Sequence, residues 1–137
     1  MVTRPGFSPG NICKRQTQWP TSLATFCAEP AKAGDRIQIY VTGLGNAAPS
    51  GDASQGILAT GQFAPLSPPY LTILQPTATI DGSPVSVLFS GVEPGMYGGL
   101  YRVDVQVPTG TRIGNFIPIS ISMPNGLADA TTTIAVQ

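Results

Sequence analysis

The chain has 137 residues, with seven Lys and Arg, seven Asp and Glu and no histidine, so its formal net charge is zero. Charged residues make up only 10% of it, against about 25% in an ordinary soluble domain. That leaves no basic stripe to neutralise phosphates, which argues against a nucleic-acid partner, and no run approaches the roughly 18 apolar residues of a membrane span.

This length suits one domain that buries about two-thirds of its unfolded surface. Few charges and zero net charge weaken the repulsion between copies and favour association. Two expectations follow: a module carried inside a larger protein, or a subunit packed against copies of itself. Residues 1–6 have no apolar core of a signal peptide, so a secreted origin would make the chain a processed product or a fragment.

Residues 1–11 hold Pro5, Gly6, Pro9 and Gly10 and read as an extended arm that is either disordered or lies along a neighbouring subunit, the second being the expectation and a plain linker its alternative. Cys13 and Cys27 follow, in a setting rich in Gly, Pro, Thr and Ser that points outside the reducing cytosol. A disulfide between them would close a short loop and add about 3 kcal/mol; two independent thiols are the alternative. Two cysteines without histidine supply half of a tetrahedral metal shell, so no metal is expected. Trp19 lies inside the loop, where it covers one end of the fold or stacks on a sugar.

The first clear strand is residues 36–42, with Ile37, Ile39 and Val41 on one face. Gly43-Leu44-Gly45 ends it. Neither the second half of a phosphate-binding fingerprint nor a helix follows, so no cofactor is expected. Residues 46–69 show no periodicity and read as a long surface segment, with β-pieces near Ile57-Leu58 and Gln62-Phe63. Residues 71–74 and 77–80 are β-like around Pro76. Asp81-Gly82 predicts a type I′ turn, because both of its central residues need positive φ.

Residues 84–90 then place Val85, Val87 and Phe89 on one face, and residues 100–107 do the same for Tyr101, Val103, Val105 and Val107. Asp104 falls on the opposite face beside Arg102 and reads as a solvated ion pair. Residues 116–123 and 130–136 form a last pair around Asn125-Gly126. The expected core is Ile37, Ile39, Val41, Val85, Val87, Phe89, Val103, Val105, Ile119, Ile121 and Ile134. Short strands at this spacing predict an all-β, two-sheet antiparallel β-sandwich over residues 33–137, preceded by the arm and cysteine loop of residues 1–32.

Val87-x-Phe89-Ser90-Gly91-Val92-x-Pro94-Gly95 and Gly99-Leu100-Tyr101-x-Val103-x-Val105-x-Val107-Pro108 resemble the uncharacterised C-terminal domain of large secreted acidobacterial proteins, the Solibacter C-terminal domain family. Asp35 with the strand leading to Thr42-Gly43-Leu44-Gly45, and the closing Thr133-Ile134-Ala135-Val136-Gln137, fit the same pattern. The resemblance covers residues 33–137 and implies an extracellular or cell-surface, immunoglobulin-like sandwich, distantly similar to transcription-factor and plexin-type domains. It implies no functional residue, because the family has no established activity.

The acids Glu29, Asp35, Asp52, Asp81, Glu93, Asp104 and Asp129 are scattered, with no histidine to work beside them, and no enzyme is expected. The expected function is a structural or assembly module whose partners are copies of itself or neighbouring domains of a larger secreted protein. Its candidate interaction residues are Phe7, Trp19, Phe63, Tyr70 and Tyr97. The alternative is a carbohydrate- or surface-binding module using residues 46–69 with Tyr70, Tyr97 and Tyr101.

Overall fold

The clearest strands form where apolar and polar residues alternate, as over Arg36–Val41 and Tyr101–Gln106. The computed structural model describes residues 2–3, 30–124, 126 and 129–137. Phe7, Cys13, Trp19 and Cys27 lie outside the described residues, and so does almost all of the expected arm and cysteine loop. Among the described residues, ten strands run in chain order: β1 (Val2–Thr3), β2 (Arg36–Val41), β3 (Ala47–Pro49), β4 (Tyr70–Thr72), β5 (Thr77–Ile80), β6 (Ser83–Val85), β7 (Val87–Val92), β8 (Tyr101–Gln106), β9 (Gly114–Ser122) and β10 (Asp129–Val136).

The strands make two antiparallel sheets, a six-stranded one ordered β1-β2-β8-β7-β4-β3 and a four-stranded one ordered β10-β9-β5-β6. The fold is all-β and of β-sandwich type. Its core draws on the inner faces of both sheets: Ile37, Ile39, Val92, Val103 and Val105 from the larger, and Ala78, Ile80, Ile117, Ile119, Ile121, Ile134 and Val136 from the smaller. The Asp81-Gly82 turn adopts φ 51° and 77°, the positive values that the dipeptide predicts.

The expected core residues Ile37, Ile39, Val103, Val105, Ile119, Ile121 and Ile134 are buried, and Val41, Val85 and Val87 pack against them partly buried. Phe89 is a correction. Val87 pairs with Val105, but Phe89 pairs with Asp104, so the register shifts across Leu88. An extra residue in one strand turns every later side chain to the other face. Phe89 therefore points away from the core, and Ser90 and Val92 are buried in its place. The buried Ser90 hydroxyl is satisfied by Thr72, whose Oγ1 lies 2.8 Å from its Oγ.

Residues 46–69 also depart from expectation. Ala47–Pro49 is a buried edge strand paired with β4, and Leu58 and Ala64 join the core. Three small residues carry no alternation, so nothing in their pattern announces a strand. The one helical element among the described residues is a 3-10 turn, Ala53–Gln55, capped by Asp52, whose carboxylate accepts from the Ser54 N–H. The chain's first residues pair with its own β2, Val2 against Ile39 and Thr3 against Gln38.

Val103 has no exposed surface and lies in the middle of the larger sheet. Val103→Ala should cost about 1–3 kcal/mol through lost transfer energy and an unfilled cavity, read as a lower urea midpoint with an unchanged slope.

Candidate interaction surface

Residues 93–100 connect β7 to β8, and three glycines and a proline keep them close to the backbone of residues 58–64. The Ala64 N–H donates to the Met96 carbonyl at 2.9 Å, Gly95 to Ala64 at 3.0 Å, Gly98 to Gln62 at 2.7 Å and Gly61 to Gly98 at 2.9 Å. Gly98 is required by contact, because a Cβ there would stand 2.6 Å from the Ala59 carbonyl oxygen. This two-segment ladder brings Phe63 opposite Tyr97. The rings meet edge to face, 5.8 Å between centroids and 78° between planes.

Both rings stay in water, Phe63 56% exposed and Tyr97 61%. Met96, on the same ladder, is also exposed, and Leu66, whose Cδ2 lies over Gly95, is more exposed still. Of the candidate interaction residues, the fold thus unites Phe63 and Tyr97. It places Tyr70 elsewhere, on β4 and packed against the core. At the far end of β8 a 107–113 link leads into β9, and there Ile113 and Phe116 are exposed. Arg112 anchors that end to the Asp81 turn, 3.0 Å from Nη2 to Oδ1.

The outer face of the larger sheet holds an ionic cluster rather than the solvated pair expected of Asp104 and Arg102. The Asp104 side chain is 0% exposed. Its Oδ2 accepts from the Arg36 guanidinium, from Nε at 3.1 Å and also from Nη2. Its Oδ1 faces Arg102 Nε at 3.1 Å as an ion pair, without the alignment of a hydrogen bond. Arg102 Nη1 donates to both Glu93 oxygens, at 2.9 and 3.2 Å, and the guanidinium lies 4.5 Å from the centre of the Phe89 ring. The Phe89 ring lies in turn over Gly91, where a Cβ would run into the Tyr70 carbonyl oxygen and stand 3.1 Å from Phe89 Cζ.

In that cluster every carboxylate is held by a guanidinium, so it offers neither a general base nor an empty ligand set. Among the described residues, no group of three or more His, Cys, Asp and Glu side chains could hold a metal, and no helix is long and apolar enough to cross a membrane.

The described residues also form concavities. One, of about 270 Å³, is formed by Gly43, Leu44, Gly45, Asn46, Ile73, Leu74 and Met123. The Tyr101 hydroxyl donates to the Gly45 carbonyl and pins the glycine-rich segment that makes its wall. Another, of about 160 Å³, opens between the sheets where Ile39, Tyr40 and Val41 face Ile119, Ile121 and residues 130–132. Neither contains a charged side chain.

Comparisons of the chain with protein-family models, with curated proteins and with solved structures find no match.

Asp104→Asn leaves two guanidiniums facing a neutral amide on a dry part of the sheet. The expected cost is about 3 kcal/mol, the lower end for breaking a buried pair because Arg36 can turn to water. A loss below about 1 kcal/mol in urea unfolding would be the cost of an exposed pair instead.

Burial pushes the Tyr101 phenol above its usual pKa, and burial together with the nearby Glu93 charge does the same for Tyr40. The folded state therefore holds these protons more tightly than the unfolded chain. Their contribution is intact below about pH 10 and is lost as pH rises through the higher folded values. The melting temperature should fall more steeply above about pH 10 in the native protein than in Tyr101→Phe.

Proposed function

We propose that this chain is a non-enzymatic, immunoglobulin-like structural or assembly module of the bacterial exterior, working through its surfaces on copies of itself or on neighbouring domains. The observation that carries this reading is the Phe63–Tyr97 pair, two large apolar rings held in water by a backbone ladder. Exposed aromatic side chains on a rigid support are what protein interfaces use as anchors.

Low charge supports the same reading, since few ionic groups need to be stripped of water when such surfaces meet. Exposed Ile113 and Phe116 at the other end of β8 suit a unit contacted at both ends, as in a row of subunits or a string of domains. The extracellular setting rests on the cysteine pair and on the motif resemblance to secreted proteins. A carbohydrate partner is less well served, because rings meeting edge to face present no shared plane on which a sugar could stack.

Sedimentation velocity over a range of concentrations tests this reading. The native chain should associate, and Phe63→Ser with Tyr97→Ser should raise the midpoint concentration roughly tenfold while leaving the far-ultraviolet spectrum unchanged. A native chain that stays monomeric throughout, with the variant indistinguishable from it, would sink the proposal.

A further inference from the structure

Each sheet of an open sandwich has two edges, and exposed strand edges are templates for pairing with another chain. Among the described residues, three of the four edges here are blunted. β1 has two residues. β3 has three, one of them Pro49, and β6 has three, one of them Pro84. Proline removes a ladder donor, and a strand of two or three residues offers little ladder at all.

The fourth edge is different. β10 runs for eight residues, Asp129–Val136, without proline and with one charge, Asp129, at its start. Its last part is taken, because Ala31 bridges Val136, donating to the Ala135 carbonyl at 2.8 Å and accepting from the Gln137 N–H at 2.9 Å. Residues 129–133 are exposed on both faces of the strand. Ala130 and Thr132 register with Ile121 and Ile119 and so face the interior, yet both stay exposed, and no described strand pairs with this edge over residues 129–133. The 160 Å³ slot between the sheets opens at this point.

We infer that the edge of β10, unpaired over residues 130–134 among the described residues, pairs antiparallel with the same edge of a second copy, about a two-fold axis at Thr132, joining two four-stranded sheets into one. This deepens the assembly reading and rests on it. In that register Thr132 meets Thr132 of the second copy, Thr131 meets Thr133, and Ala130 meets Ile134. Cross-strand pairs of threonine with threonine and of apolar with apolar residues are favourable.

No like charges face each other. Asp129 falls beyond the ladder, opposite Ala135 and beside the 30–32 segment of the second copy, which carries the exposed Lys32. The contact is thus complementary to itself, as a two-fold interface must be. It is also bounded at each end by Ala31, which limits the ladder to residues 130–134.

The test uses the full chain in sedimentation velocity, together with disulfide mapping by mass spectrometry. Thr132→Lys places two ammonium groups against each other at the axis and should abolish the edge dimer. Thr132→Val, still β-branched, should keep it. Thr132→Cys should give, under mild oxidation, a disulfide joining the two substituted positions, since directly opposed Cβ atoms lie about 4.5–5.5 Å apart.

If Thr132→Lys fails to fold, the disulfide result decides alone. Association of Thr132→Lys equal to that of the native chain, or no disulfide between the substituted positions while the Thr132→Cys chain still associates, overturns the edge contact and leaves the assembly reading standing. A native chain that is monomeric at every concentration overturns both.

Discussion

A carboxylate with no exposed surface, on the face of a sheet that points away from the core, is the constraint around which this molecule is arranged. Asp104 is tolerated there because two guanidiniums reach it, and a buried charge without such partners would be prohibitive. Arg102 lies across the sheet against the Phe89 ring, and Phe89 lies over Gly91 because that residue has no Cβ. Phe89 is on that face only because of the irregularity at Leu88. The same irregularity turns Ser90 and Val92 inward, where Ser90 needs Thr72 as its hydrogen-bond partner. One extra residue in one strand therefore sets both the ionic cluster outside and part of the packing inside.

The parts legible from sequence are those in which local pattern and final structure follow one rule. In β2, β8 and β9 the alternation runs unbroken, and Ile37, Ile39, Val103, Val105, Ile119 and Ile121 are buried as the period requires. Asp81-Gly82 is legible for a similar reason, since the turn's positive φ values are a local property of those two residues. Phe89 is not, because a bulge leaves the hydrophobic pattern looking continuous while the pairing beneath it slips. Asp104 is not either, because its burial depends on Arg36, 68 residues away in the chain. A carboxylate flanked by Val103 and Val105 in mid-strand was the one available hint.

The interaction surface divides in the same way. Phe63 and Tyr97 stand out as aromatic residues in glycine-rich surroundings, but their meeting depends on the backbone approach that Gly98 permits, a contact between segments rather than a property of either one. Tyr70 looked equivalent by composition and is not, because β4 carries it against the core. The edge of β10, unpaired over residues 130–133 among the described residues, becomes apparent only by contrast. A threonine-rich strand is unremarkable until the other edges are seen to be short or to contain proline.

The two proposed surfaces differ in the assemblies they allow. An edge that pairs with itself about a two-fold axis is used up when two copies have met, and alone it stops at a dimer. The Phe63–Tyr97 ladder and the exposed Ile113 and Phe116 lie at opposite ends of β8, so a contact between them would be head to tail and would not close on itself unless the rotation between copies happened to form a ring. A chain holding both kinds of contact could build two-stranded rows, each strand growing end to end and the strands joined through β10. A chain embedded in a larger protein would use its two ends for the domains on either side and keep β10 as its contact with another molecule. In both settings the rigid element between the surfaces is β8, the strand that the Asp104 cluster holds in register.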